Sequence, residues 1–288
     1  MQFGGIDPAF TSFKTAPFIV VPVPYDLTST YQSGSRRGPA AILEASANME
    51  LYDEELRRET YRTGIHTFPP LEVDARGPKE MTAAVRRSIS EILAFGKIPV
   101  MLGGEHSVTL GAVLALREKF PDLSVLQLDA HADMRETYQG SPYSHACVAR
   151  RIFETCPLVQ AGTRSLSAEE SEFMSKAGIK TYGVDLILDE PDWIERICEN
   201  LAGDVYITID LDVLDPAVMP STGTPEPGGI SWRALIGLIR EVSRRCHIRG
   251  FDVVELSPIP GIVAPDFLAA KLVYRIMGYL TQAKTWSR

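Results

Sequence analysis

The chain is poor in cysteine. Its 288 residues include four, Cys147, Cys156, Cys198 and Cys246, and no two form a C-x-x-C pair. That usage excludes a disulfide scaffold and a thiolate zinc site, and it fits reduced thiols in a cytoplasmic protein. Positive charge is also short: 29 Lys and Arg face 37 Asp and Glu, for a net charge of −8. The pairs Arg36/Arg37, Arg150/Arg151 and Arg244/Arg245 are too dispersed to track a phosphate backbone. Neither nucleic acid nor an anionic membrane is therefore an expected partner. No apolar run approaches the roughly 20 residues of a membrane span. The opening MQFGGIDPAF shows no basic segment followed by an apolar one, so no secretory signal is expected. There is no G-x-G-x-x-G after a strand pattern and no G-x-x-x-x-G-K-[ST], which removes dinucleotide and P-loop readings.

What remains is an ordinary globular composition, 45% hydrophobic and 23% charged. Short apolar runs at 17–23, 98–103, 123–129, 157–163, 179–184, 204–212 and 247–256 read as strands. Helical patterns fill 38–51, 78–96, 107–120, 231–246 and 265–281, with Ser107 and Ser231 placed as N-caps. The alternation predicts a mostly parallel sheet in a three-layer α/β/α arrangement. The strands are rich in Val, Ile and Leu without strict alternation, as when both faces are covered. No linker, repeat or low-complexity stretch divides the chain, so 1–288 reads as one domain. Residues 1–16 are expected to be extended and 52–77 to be mostly loop.

Ligand sites in such folds lie at the carboxyl ends of the strands. Four strand patterns end in imidazoles or carboxylates: His106 in GGEHS; Asp129, His131 and Asp133 in DAHAD; Asp210, Asp212 and Asp215 in DLDVLDP; Asp252 and Glu255 in DVVELSP. Alternate residues of extended chain share a side, so Asp129, His131 and Asp133 can converge, as can Asp210 and Asp212. Adding His106 gives two imidazoles and four carboxylates. Four carboxylates crowded in a poorly solvated cleft repel, and two divalent cations match their charge. Mixed nitrogen and oxygen donors suit Mn²⁺, Fe²⁺ or Zn²⁺. Taken singly, each piece has a plainer reading. D-x-H-x-D can be a polar loop, His106 a helix cap and Asp215 before Pro216 a turn residue. The plain reading must account for four strand ends at once. His66 and His247 fall outside the pattern and read as structural or surface residues.

In order along the chain, GGEHS, DAHAD, SHA, IDLDVLDP, GTPEPGG and DVVELSP resemble the ureohydrolases, the family of arginase and agmatinase. PVPYD (22–26) and SGSRRGPAAILEAS (33–46) extend the likeness over nearly the whole chain. The resemblance implies an arginase-like fold, two Mn²⁺ per chain, hydrolysis of a guanidino group by a hydroxide bridging the metals, and assembly as a homotrimer or homohexamer. It implies one metal on His106, Asp129, Asp133 and Asp210, and the other on Asp129, His131, Asp210 and Asp212. By the same motifs His145 is the catalytic histidine, titrating in the range to deliver a proton to the leaving amine. Asp133 is a second proton acceptor and Glu255 the guanidinium-binding carboxylate. Thr224 falls where a substrate-contacting threonine is expected, and Glu226 lies in the same loop.

The family's arginases carry a Ser-x-Asn element before the catalytic histidine, near the substrate's α-carboxylate. Here the stretch is GSPYSHA, with no Asn before His145, and TPEPGG has the agmatinase form. Agmatine, cleaved to putrescine and urea, is the expected substrate. Guanidinobutyrate, arginine and formimino compounds are the alternatives. A single-zinc deacetylase and a non-catalytic ureohydrolase-like regulator are the competing classes, and the intact six-ligand set argues against both.

Overall fold

The computed structural model describes residues 1–282. Ten strands occur among them: β1 (Phe18–Val23), β2 (Tyr52–Asp53), β3 (Arg58–Glu59), β4 (Ile65–Thr67), β5 (Ile98–Gly103), β6 (Ser124–Leu128), β7 (Leu158–Ala161), β8 (Lys180–Tyr182), β9 (Asp204–Asp210) and β10 (His247–Val254). Eight form one sheet in the order β4-β1-β5-β10-β9-β6-β7-β8. Every pairing in it is parallel. The helices are α1 (Gly38–Ser46), α2 (Pro78–Ala94), α3 (Thr109–Lys119), α4 (Val148–Phe153), α5 (Ala168–Ala177), α6 (Val184–Asp189), α7 (Trp193–Glu199), α8 (Trp232–Arg245) and α9 (Ala264–Gln282).

The side chains of each strand divide between two cores. Phe18 and Val20 of β1 pack with residues of α1, α7, α8 and α9. Ile19, Val21 and Val23 pack with residues of α2, α3 and α4. This is the three-layer α/β/α arrangement, and the double burial explains the continuous apolar strands. No helix among the described residues is long and apolar enough to cross a membrane. All four cysteines are buried and unpaired.

Local expectations fare unevenly. Pro39 sits in the first turn of α1, and Ser231 accepts the Ala234 N–H as the cap of α8. Ser107 is no cap: a 3₁₀ turn spans His106–Val108, α3 begins at Thr109, and the Ser107 hydroxyl donates to Glu105. Residues 1–16 are not simply extended, since 3₁₀ turns occupy Phe3–Gly5 and Pro8–Phe10. The stretch 52–77 holds the β2–β3 hairpin, a 3₁₀ turn and β4. It is tied down by α9, whose buried Arg275 makes ion pairs with Asp53 at 2.5 Å, Glu54 at 2.5 Å and Glu55 at 2.8 Å. Four helices between 129 and 204 escape the periodicity reading. α4, α6 and α7 are six or seven residues long. α5 is mostly polar (AEESEFMSKA) and is fixed by a Ser167/Glu170 capping box rather than by a wide apolar stripe.

The strands that supply the polar residues, β5, β10, β9 and β6, are the four adjacent central strands. The loop leaving β5 is held close to the chain beyond β1. A Cβ on Gly104 would lie 2.0 Å from the Tyr25 carbonyl oxygen, so only glycine fits there.

Candidate metal centre and active site

The structure brings the six predicted ligands together at the carboxyl end of the sheet. Asp129, Asp133, Asp210, Asp212 and His106 are buried, and His131 is partly exposed. Ligand atoms of His106, Asp129 and Asp210 lie within 4.8 Å of one another, as do those of Asp129, His131 and Asp212. Asp129 belongs to both groups, as a bridging ligand should. Asp210 falls in the first group alone. Asp133 stands beside that group, its Oδ2 3.3 Å from His106 Nδ1.

Main-chain N–H groups and the Gln127 side-chain amide fix the carboxylates. Asp129 Oδ1 accepts the His131 N–H at 2.6 Å, and its Oδ2 accepts from Gln127 Nε2 at 2.7 Å. Asp210 Oδ1 accepts the Asp212 N–H at 2.9 Å, and Asp212 Oδ1 accepts the Ala130 N–H at 3.0 Å. Two site residues are held in the left-handed region that favours glycine, Asp133 at φ 52° and Glu255 at φ 65°. Such backbone strain, on the order of 1–3 kcal/mol per residue, persists where the surroundings over-determine it.

The donor set fits a cation. Nδ1 of His106 is buried and makes no hydrogen bond. Carboxylate oxygens of Asp129, Asp133 and Asp210 nonetheless surround it at 3.0, 3.3 and 3.5 Å. The opposite ring nitrogen, Nε2, lies 2.9 Å from Thr208 Oγ1. Thr208 spends its hydroxyl proton on Asp252 Oδ1 at 2.6 Å, so its oxygen accepts Nε2–H and Nδ1 is the nitrogen facing the carboxylates, where a cation would replace its proton. Burial opposes charge on either imidazole, but the facing carboxylates outweigh it and raise both pKa values, that of His131 to about 12. Burial, then the charges of Asp212 and Asp129, push the Asp210 carboxyl well above the usual range. Burial and the Asp129 charge push Asp133 up to about 7. A site that strains this hard toward positive charge suits divalent cations.

Of the remaining predicted residues, His145, Thr224 and Glu255 line a cavity of about 280 Å³ together with His106, His131, Asp133 and Asp210. Glu255 Oε1 accepts the His106 N–H at 2.6 Å. Burial, then the charge of Glu105, raise the Glu255 pKa to about 8. His145 departs from expectation. Burial, then the charges of His106 and His131, lower its pKa to about 4, so the resting ring is neutral at pH 7. Glu226 stands at the rim, its Oε1 3.0 Å from Ser165 Oγ and 3.8 Å from His131 Nε2. His66 is structural, its Nδ1 2.6 Å from the Thr11 carbonyl, and His247 lies near Asp204.

Sequence reading missed several residues that shape the site. Arg164 donates to the carbonyls of Asp212 and Glu226 at 2.7 Å and of Pro227 at 2.9 Å, which clamps the GTPEPGG loop to the metal-ligand loop. Glu105, inside GGEHS, is fully buried and gathers Thr28 and Ser107. A carboxylate in a glycine-led turn straight after a buried strand was the available signal.

A parallel α/β/α sheet with paired carboxylate–imidazole clusters at its carboxyl edge defines the class, a hydrolase scaffold built for metal. The chain belongs to the arginase family, whose model matches residues 16–278, and it is an amidinohydrolase of the agmatinase type. It is 38% identical over 279 residues to an N(1)-aminopropylagmatine ureohydrolase of Synechocystis sp., covering 94% of this chain and 91% of that one. It is 35% identical over 256 residues to an agmatinase of Bacillus anthracis, covering 86% of each. The crystal structure of the agmatine ureohydrolase of Thermoplasma volcanium superposes with a TM-score of 0.89 at 32% identity, covering 97% of this chain and 94% of that one.

Proposed function

We propose that the chain hydrolyses the guanidino group of agmatine to putrescine and urea with two Mn²⁺ per chain. One observation carries the reading: two carboxylate–imidazole groups sharing Asp129 open onto the cavity that also holds Glu255 and His145. His106, Asp129, Asp133 and Asp210 would hold one ion, and Asp129, His131, Asp210 and Asp212 the other. Bound there, two cations would supply Lewis acidity and lower the pKa of water.

The chain's own groups account for the rest. A guanidinium stays cationic to very high pH. Glu255 is a buried carboxylate whose ionised form is costly, and a cationic guanidinium is the partner that relieves it. One Glu255 oxygen is fixed by the His106 N–H, so the bound carbon would be held at a defined distance from the ligand cluster. Asp133, beside the His106 group, would accept a proton. His145, neutral at rest, must take up a proton before handing it to the leaving amine. Thr224 and Glu226 would contact the substrate from the Arg164-clamped loop.

The similarity to N(1)-aminopropylagmatine ureohydrolases favours a second reading, in which the substrate is agmatine with an aminopropyl extension. A tail ending in ammonium suits both. Arg135 is the one Arg or Lys among the cavity-lining residues, and it lies over the Tyr138 ring with Glu170 3.9 Å away. Cytoplasmic residence and assembly as a homotrimer or homohexamer belong to the same proposal, and sedimentation of the purified protein reads the latter.

The test is urea release by Mn²⁺-loaded protein offered agmatine, N(1)-aminopropylagmatine, arginine and 4-guanidinobutyrate, with a chelated control. Urea from the amine-tailed compounds, abolished by chelation, supports the reading, and their relative rates choose between them. Urea mainly from a guanidino acid overturns the tail assignment. No urea from a protein holding two metals rejects the activity.

A further inference from the structure

We infer that Glu105 and Thr28 are positioning residues that set the tautomer of His145, committing the Thr28 hydroxyl proton to Glu105 so that His145 carries its proton on Nδ1 and presents Nε2 to the cavity. The consequence for turnover rests on the proposed hydrolysis, whereas the tautomer itself does not.

Glu105 follows β5 and is fully buried. Four donors converge on its carboxylate. Oε1 accepts from Thr28 Oγ1 at 2.5 Å and from Ser107 Oγ at 2.5 Å. Oε2 accepts the Thr28 N–H at 2.6 Å and faces Ser29 Oγ at 3.5 Å. Donors meet both carboxyl oxygens, two hydroxyls at Oε1 and a main-chain N–H at Oε2, so the group faces Thr28 as an acceptor. Burial raises its pKa against the pull of these donors.

A threonine hydroxyl has one proton to give. With that proton on Glu105, Thr28 Oγ1 is left with acceptor capacity alone toward His145. It accepts the His145 main-chain N–H at 3.1 Å and lies 3.2 Å from Nδ1. A bare Nδ1 lone pair would face the lone pairs of that oxygen, whereas Nδ1–H completes a hydrogen bond. Ser144 Oγ, 3.3 Å from Nδ1, can rotate to suit either tautomer and so does not decide. The ring edge meets Tyr138 at a centroid distance of 5.9 Å and an interplanar angle of 90°. Nε2 is then the atom free to take a proton and release it. The arrangement fixes a catalytic imidazole through an intervening hydroxyl, where a carboxylate bonded directly to the ring would be the simpler device.

The test is the ¹⁵N spectrum of His145 in histidine-labelled full-length protein, loaded with diamagnetic Zn²⁺ in place of Mn²⁺. The resonance is assigned by its loss in His145→Asn. The expected pattern has Nδ1 protonated and Nε2 bare. Thr28→Val removes the acceptor, so the ring shifts toward Nε2–H. In the Mn²⁺ enzyme kcat should fall roughly 10- to 100-fold, less than the loss of a whole acid–base group, while KM moves less than about threefold. Thr28→Ser keeps the hydroxyl and should restore both tautomer and kcat. An Nε2–H tautomer in the parent protein overturns the inference, as does a Thr28→Val spectrum unchanged from the parent. If Thr28→Val does not fold, the parent and Thr28→Ser spectra decide. The spectra need no substrate, so a chain that releases no urea would fail the proposed hydrolysis without touching the tautomer.

Discussion

Replacing Asp252 by Asn should weaken one metal site and spare the other. Asp252 is fully buried on β10 and accepts three hydroxyl protons, from Thr208 at 2.6 Å, Tyr206 at 2.7 Å and Thr109 at 2.9 Å. Thr208 is the link to His106. While Asp252 takes the Thr208 proton, the Thr208 oxygen must accept Nε2–H, and Nδ1 stays bare for a metal. Asn has nearly the same shape, but one acceptor oxygen becomes an amide donor. If the amide faces Thr208, the Thr208 proton is released toward Nε2, Nδ1 gains the hydrogen, and the ligand is lost. If it faces Tyr206 and Thr109, a buried hydroxyl loses a charge-assisted bond, a cost of about 1.5–3 kcal/mol. Removing an outer partner of a metal-bound histidine typically weakens binding about 10- to 100-fold, which is about 1.4–2.7 kcal/mol. Mn²⁺ titration of metal-free protein, followed by the spin-resonance signal of the free ion, resolves the two sites. We expect the His106 site to lose that factor and the Asp129–His131–Asp212 site to stay within about threefold. Two unchanged affinities together with unchanged stability in a folded Asp252→Asn protein would refute the tautomer argument.

Three further outcomes follow from the same packing and charges. Gly104→Ala forces a Cβ to 2.0 Å from the Tyr25 carbonyl, a main-chain clash no rotamer relieves; stability in denaturant titration should drop by at least about 3 kcal/mol, and a loss under 1 kcal/mol would contradict the close approach. Arg275→Met leaves Asp53 charged and buried, so it should cost about 3–5 kcal/mol, and adding Asp53→Asn should recover part of that; an additive double variant would speak against the pairing. Asp133, raised to about 7 by burial and the Asp129 charge, holds a proton below that pH which a metal must displace. Mn²⁺ affinity should therefore fall as pH drops from 8 to 6, by roughly tenfold per unit for each proton displaced, with proton release visible by calorimetry in buffers of different ionisation enthalpy. An affinity flat over that range would contradict displacement of protons from the imidazole and carboxylate ligands alike.

The central strands and the cluster they carry were legible because both are local signals. β5 follows the apolar run at 98–103, and DAHAD and DLD show their ligands within a few residues of a strand end. The residues that orient those ligands were not legible, since their meaning lies in distant partners. Thr28 is an unremarked hydroxyl until the fold sets it against Glu105, 77 residues away, and His145, 117 away. Thr208 sits mid-strand in an apolar run and acquires its role from His106, 102 residues earlier. Arg164 carries no local signal, and its protons are spent on loop carbonyls of distant segments. Periodicity also failed where a capping box, as in α5, or brevity, as in α4, took the place of an apolar stripe.

The position of β10 governs the order in which the molecule can be completed. The last strand among the described residues lies in the middle of the sheet, between β5 and β9. Before it emerges from the ribosome, β4, β1 and β5 can gather on one side and β9, β6, β7 and β8 on the other, with no strand pairing to join them. His106 belongs to the first half, and Asp129, His131, Asp210 and Asp212 to the second. A nascent chain that stops short of residue 247 thus owns every metal-ligand candidate, with Asp129, His131, Asp210 and Asp212 on or beside the directly paired β6 and β9, while His106 waits on the other half. Insertion of β10 zips the halves together and in the same event delivers Glu255, whose carboxylate accepts the His106 N–H across 149 residues of sequence. Completion of the His106 group would therefore be a late step of synthesis, and a centre holding both groups would mark a closed sheet.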